Sequence, residues 1–169
     1  LQHRFASVQR INFDALLLAA LREQAQAMKV DWAVVLQADA AERTSRHWTN
    51  LQRLVQRTLP ALRTALLHSP QPILLVCAGL LARYSLMHLV TELEEHAGRP
   101  GHTPSAWLLL PTSAQGLPTI DGVAVPLVNN INNARALALP QAWVENKHRA
   151  KTGPHTASPA GSHASPSAA

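Results

Sequence analysis

Asp39 closes an apolar run, Trp32-Ala33-Val34-Val35-Leu36-Gln37-Ala38. An acid at the carboxyl end of a buried strand is the residue type that binds magnesium or acts as a base in many α/β enzymes. That chemistry needs partners at suitable spacing. Asp31 precedes the run and Asp121 sits in an Asp-Gly turn signal, so neither supplies one. Asp39 therefore reads as a loop or helix-cap residue. The second place to look for chemistry is Cys77-Ala78-Gly79-Leu80-Leu81-Ala82-Arg83, after the most apolar strand of the chain. A dinucleotide fold would put three glycines there, and a phosphate loop would read Gly-x-x-x-x-Gly-Lys followed by Ser or Thr. A single glycine predicts a tight strand-to-helix turn. Arg83 then reads as a surface or domain-contact arginine, with an anion at the helix start as the alternative.

Three more groups have the right residue types. Cys77 would need an exposed, electropositive setting to act as a nucleophile; in an apolar strand it is expected as a small core residue. Nine histidines are many for this length, and His88 and His96 are spaced to share a helix face. Zinc wants three or four ligands, so no metal site is predicted. Arg46, Arg53 and Arg57, at spacings of seven and four, line one face of a helix. They could contact phosphates or acidic residues, but no aromatic residue accompanies them for base stacking. No residue is assigned as catalytic, cofactor-binding or metal-ligating. Glu92, Glu94 and Glu95 read as a solvated helix face.

The elements that must position these residues follow from hydrophobic period. Residues 1–11 read as a linker or a trimmed strand. Asn12 is a plausible N-cap and Asp14 suits the positive end of a helix. Phe13, Leu16, Leu17, Ala20, Leu21 and Met28 keep helical spacing, which predicts a helix over about 12–28. Residues 31–38 are rich in Trp and Val and predict a buried strand. Thr44 or Ser45 caps a second helix carrying Trp48, Leu51, Leu54, Val55, Leu59, Leu62 and Leu66. Pro60 lies inside it and predicts a kink or a break. Ile73–Cys77 is the clearest buried strand. A third helix runs from Leu80 to Leu93, and Gly98 is its C-cap. Ala106–Leu110 is a further strand, stopped by Pro111. A strand, helix, strand succession over 73–110 implies parallel neighbours. Asp121-Gly122 predicts a short edge hairpin over 120–128, with Pro126 marking the edge. Leu137, Leu139 and Trp143 anchor a short last helix.

These elements give a layered α/β domain over 12–149, with a mainly parallel sheet flanked by helices. The tail at 150–169 holds Ala, Ser, Pro, Gly and His with no bulky apolar residue, and is expected to be disordered. The four tryptophans read mainly as core, with Trp143 also a candidate contact to another protein part.

The whole chain has 169 residues, 47% of them apolar, which suits one domain with a real core. No apolar run approaches a membrane span and no secretory signal is visible, so no membrane is expected and the location reads as cytoplasmic. The single cysteine excludes an internal disulfide framework and a Cys-rich zinc site. The net charge of +5 comes from 12 arginines and 3 lysines against 10 acids. The arginine, alanine and proline bias matches a GC-rich genome, and acids are interleaved with the bases, so an ordinary solvated surface is expected before a nucleic-acid face. The chain opens at Leu1, not methionine, which predicts a fragment or a processed piece.

Several segments together carry a resemblance: Val30-Asp31-Trp32-Ala33-Val34-Val35-Leu36-Gln37-Ala38-Asp39-Ala40, Leu74-Leu75 through Gly79-Leu80-Leu81-Ala82-Arg83-Tyr84, Trp107-Leu108-Leu109-Leu110-Pro111, and Leu117-Pro118-Thr119-Ile120-Asp121-Gly122-Val123-Ala124-Val125-Pro126. The chain resembles, over roughly 11–149, the C-terminal region of the large multidomain proteins of phage-growth-limitation (BREX type 2) defence systems. The serine/threonine kinase component is the nearer match and the ATPase component the second. The kinase hallmarks are not in this sequence: no Gly-rich loop, no His-Arg-Asp catalytic loop and no Asp-Phe-Gly. The resemblance implies a non-catalytic domain of a kinase parent, scaffolding or sensing, with other domains of that parent or other defence proteins as partners. The alternatives are a degenerate nucleotide-binding or ATPase-like domain, and a nucleic-acid accessory domain using Arg46, Arg53 and Arg57. A cut piece should also expose apolar surface, here expected around Phe13, Leu17 and Trp143.

Overall fold

Gln9–Asn12 forms a strand, β1, although only Ile11 of its four residues is buried. The segment read as a linker or trimmed strand thus ends inside the sheet. A computed structural model of the chain describes residues 7–110, 118–126 and 139–145. The chain divides into two units, residues 1–128 and 129–169.

In the first unit, α1 (Phe13–Ala27) starts where expected. The Asn12 side chain accepts from the Ala15 N–H at 3.0 Å, which satisfies one of the helix's orphan donors. Trp32–Ala40 is a helix, α2, and not the predicted strand. Asp31 caps it, its carboxylate accepting from the Ala33 N–H at 2.8 Å. Val35 and Ala38, three apart on one helix face, bury against α3 (Arg46–Leu67). That contact outweighs the β preference of Trp and Val. Ser45 caps α3.

Pro60 does not break α3 into two helices: the helix runs continuously from Arg46 to Leu67 across it. Proline removes the donor that would bond the Gln56 carbonyl. Gln56 and Pro60 are both exposed, so that carbonyl lies on the solvent side of the helix, where a missing donor costs least, and packing on the buried face holds the helix.

β2 (Ile73–Val76) follows. The predicted third helix is two: α4 (Gly79–Arg83) and α5 (His88–His96), separated by a turn in which Ser85 takes a left-handed φ of 60°. β3 (Ala106–Leu108) completes a three-stranded sheet of order β1-β2-β3. Both pairings are parallel, with Ile11 opposite Leu75 and Leu75 opposite Leu108. The central strand is the apolar one, as expected for a strand covered by helices. β4 (Thr119–Ile120) and β5 (Val123–Ala124) pair antiparallel across Asp121-Gly122. Both turn residues have positive φ, 45° and 79°, the conformation an Asp-Gly hairpin turn requires.

The core joins Phe13, Leu17 and Leu21 of α1 to Val55, Leu62 and Leu66 of α3, Leu75 of β2 and Leu89 of α5. Three polar residues are buried with it, Thr58, Ser69 and Thr103, and the last of them ties distant parts of the chain together. Thr103 is fully buried; its hydroxyl donates to the Leu66 carbonyl at 2.7 Å and accepts from the Ser69 N–H at 3.0 Å. Its own N–H donates to the Leu67 carbonyl at 2.7 Å. Three groups left without helical partners at the end of α3 are thereby satisfied.

In the second unit the described residues hold one short helix, α6 (Gln141–Val144), with Leu139 just before it. Leu137 and the tail at 150–169 lie outside the described residues.

Candidate functional site

In a parallel α/β fold a ligand is looked for at the carboxyl ends of the strands. Here the chain fills that place itself. The Asp14 N–H, in the first turn of α1, donates to the Cys77 carbonyl at 3.0 Å. Its carboxylate accepts from the Leu80 N–H at 2.9 Å. Asp14 thus clamps the β2–α4 turn from both sides. Asp121, from the β4–β5 turn, brings a second carboxylate to Gly79: a Cβ on that glycine would lie 3.1 Å from the Asp121 Oδ2 and 3.7 Å from the Asp14 Oδ2. Gly79 is the predicted tight turn, and its smallness admits these two acids.

Cys77 corrects an expectation. It is exposed, not a core residue, and its φ of 51° is left-handed. The strand ends at Val76, and the turn at Cys77 carries its side chain out of the apolar row.

Asp39 sits in the last turn of α2, not at a strand end, and Arg83 sits at the end of α4. The Arg83 Nε donates to the Asp39 Oδ1 at 2.8 Å, and its terminal nitrogen donates to the Asp39 carbonyl at 2.9 Å. The Tyr84 hydroxyl donates to the same Oδ1 at 2.9 Å. Trp48 stacks on Tyr84 with ring centres 5.9 Å apart. The Asp39 hydrogen bond holds the Arg83 guanidinium above its ordinary value, while burial works the other way. Burial, then the hydrogen bond to Asp39, pushes Tyr84 up to about 12. The arrangement is a tie between α2 and α4. It engages two of the three guanidinium nitrogens of Arg83 within the chain.

Arg46, Arg53 and Arg57 all lie exposed on α3. Two of them share a feature that spacing alone did not reveal. Arg53 and Arg57 stand on the rim of an apolar groove of about 420 Å³ between α2, α3 and the end of α1. Its floor is Val35, Ala38, Leu51 and Leu54, and its apolar edge is Met28, Val30 and Val34. Arg46 does not line it. A second concavity continues past Val30 to Trp32 and Arg22, whose guanidinium lies 5.0 Å from the Trp32 ring centre.

The expected apolar contact around Phe13, Leu17 and Trp143 is divided. Phe13 and Leu17 are fully buried in the core of this chain and present nothing to a partner. Trp143, in the second unit, is 60% exposed. Trp48 is core as predicted, whereas Trp107 is 55% exposed because the short β3 turns it outward. His88 and His96 lie on α5, and the His96 ring packs 4.9 Å from His102, which in turn stacks 4.9 Å from His68. Among the described residues no group of three or more His, Cys, Asp or Glu is placed to hold a metal ion. Glu92, expected as a solvated acid, is paired: Arg63 donates to its two oxygens at 2.8 and 2.7 Å. That hydrogen bonding holds the Glu92 carboxyl below its ordinary value.

The chain is 30% identical over 150 residues to a protein of Streptomyces coelicolor named Probable kinase PglW. The match takes in 83% of this chain and 9% of that protein, so the chain spans about a tenth of its relative's length. No protein-family model and no solved structure matches the chain.

Proposed function

We propose that this chain is a non-catalytic α/β domain of a bacterial phage-defence protein of the phage-growth-limitation (BREX type 2) kind, most like its serine/threonine kinase component. It serves as a scaffold or sensor for other parts of that protein or system. The observation that carries the reading is the closed strand end. A nucleotide phosphate brought to Gly79 would meet two carboxylates, Asp14 and Asp121, instead of free amides. Like charges at that distance repel it. The sequence adds no phosphate loop and no kinase loop elsewhere. Similarity to a relative named as a kinase supports the parent's class, and the small share of that relative spanned here supports a domain that leaves the chemistry to other parts. We place the protein in the cytoplasm; among the described residues no helix is long and apolar enough to cross a membrane.

The purified chain with magnesium-ATP and a generic acceptor should show background turnover only. A saturable rate that disappears on Asp39→Ala overturns the reading. In the parent, deleting this region should abolish protection against phage while leaving autophosphorylation of the remainder intact. Protection that survives the deletion removes the scaffold role.

A further inference from the structure

We propose that the groove between α2 and α3 is a docking site for an acidic amphipathic helix supplied from outside residues 1–169. The inference rests on the scaffold reading and deepens it by naming the chemistry of the partner.

The groove combines an apolar floor with a cationic rim. Val35, Ala38, Leu51 and Leu54 form the floor, while Val34 and Met28 stand 49% and 43% exposed along the edge. Arg53 and Arg57 line one side, Arg22 closes the continuation past Val30, and among the described residues no acidic residue lines either concavity. Among the described residues neither Arg53 nor Arg57 is in an ion pair: Arg53 reaches only the Asn50 side-chain oxygen, at 3.5 Å. An occupant must therefore bring apolar side chains for the floor and carboxylates for the rim. An amphipathic helix with apolar residues at i, i+3, i+4 and i+7 and Asp or Glu beside them does both.

The chain cannot supply that helix from its remaining segments. All ten acidic residues lie within 7–110, 118–126 and 139–145, so segments 1–6, 111–117, 127–138 and 146–169 carry no acidic side chain. A second copy docking groove to groove would set arginine against arginine across the two-fold axis. Nucleic acid would use the arginines and leave the apolar floor unused, whereas its interfaces are polar and wet.

The probe is a fluorescein-labelled helical peptide with leucine at i, i+3, i+4 and i+7 and glutamate at the flanking positions. Its control has lysine in place of each glutamate. Anisotropy titrations use the full chain. The glutamate peptide should bind saturably, and more weakly as salt rises. The lysine peptide should not bind. Arg53→Glu with Arg57→Glu should weaken binding by about tenfold or more. Val34→Asp, at an exposed position, should do the same through the apolar edge. Circular dichroism melting confirms that each variant is folded, and Arg99→Glu, on an exposed arginine away from the groove, should bind as the parent chain does.

Equal binding of both peptides, or indifference to the arginine and Val34 variants, overturns the proposal. So does salt-dependent binding of duplex DNA that the arginine variants abolish, or a sedimenting dimer that Val34→Asp dissociates. ATP turnover tests the scaffold reading separately: a chain that stays inert yet ignores the peptide defeats this inference alone.

Discussion

The Arg83 guanidinium meets Asp39 twice, through Nε to a carboxylate oxygen at 2.8 Å and through a terminal nitrogen to the backbone carbonyl at 2.9 Å. The second bond matters for the fold. The Asp39 carbonyl belongs to the last turn of α2, where no further helical N–H is available to it. Arg83 therefore acts as a C-cap supplied from another helix, and it fixes where α2 ends relative to α4. Tyr84 adds its hydroxyl to the same carboxylate and lays its ring on Trp48. Asp39, Arg83 and Tyr84 together join α2 to α4.

The joint predicts an alkaline loss of stability. Tyr84 titrates near 12 in the folded chain against 10.0 for a free tyrosine, first because it is buried and then because it donates to Asp39. Its neutral form is the one the fold favours. The stabilisation is fully present below pH 10 and disappears as pH rises from 10 through 12, with an upper bound of roughly 3 kcal/mol. Tyr84 is the chain's only tyrosine, so the tyrosinate absorbance reports it alone. Asp39→Asn should lower the midpoint, which should stay above the free value because burial remains. A midpoint near that of free tyrosine in the parent chain would contradict the burial and the bond.

Thr103 predicts a larger effect from a smaller change. Thr103→Val keeps the shape but removes the acceptor for the Ser69 N–H and the donor to the Leu66 carbonyl. Both partners sit at the buried end of α3. Leaving them unpaired should cost roughly 2–4 kcal/mol. Urea denaturation would measure it. Thr103→Ser keeps the hydroxyl and should recover most of the loss. A loss for Thr103→Ser as large as for Thr103→Val would show that the methyl group, not the hydrogen bonding, holds this corner.

The parallel sheet, the α1 cap, the Ser45 cap and the Asp121-Gly122 hairpin were legible because each depends on local chemistry or a strong apolar run. What was not legible depends on distant residues. α2 reads as a strand because Val34 and Leu36 are exposed while Val35 and Ala38 are buried, which blurs the helical period. Its apolar surplus at Val34 is the groove's edge, so the feature that obscured the element is part of the candidate site. β1 is a polar edge strand that only its pairing with β2 defines. Arg83 and Asp39 are 44 residues apart, and Arg63 and Glu92 29 apart, so no spacing rule could pair them. The groove's cationic rim was half visible: Arg53 and Arg57 were grouped by period, and Arg46 was grouped with them by the same rule but lies off the groove.

Cys77 offers a direct check on the strand-end turn. The thiol is exposed, so a maleimide should modify the native chain without denaturant. The left-handed φ of 51° is unfavourable for any residue with a branched Cβ. Cys77→Val should therefore destabilise by about 1–2 kcal/mol, while Cys77→Gly should be close to neutral, with relief of the backbone offset by a freer unfolded chain. Thermal melts of the two variants would distinguish a turn imposed by the Asp14 clamp from an ordinary strand continuation, in which valine would be the better residue.

Pro60 should be a stabilising position. Its ring removes one donor from the middle of α3, and a proline in a helix interior costs about 3 kcal/mol relative to alanine. α3 nevertheless continues to Leu67, because Leu59, Leu62 and Leu66 bury its apolar face and the freed Gln56 carbonyl lies on the solvent side. Replacing the ring restores the missing hydrogen bond and touches no buried side chain. Against this, alanine leaves the unfolded chain freer, which takes back about 0.4–1 kcal/mol. Pro60→Ala should therefore raise stability by about 2–3 kcal/mol, read as a higher melting temperature. The Thr64 hydroxyl, which donates to the residue-60 carbonyl at 3.0 Å, keeps its acceptor in the variant. A lower melting temperature would mean that the ring supports the exposed face of α3 through contacts of its own. Peptide binding to the groove should not change, because residue 60 lies outside its lining.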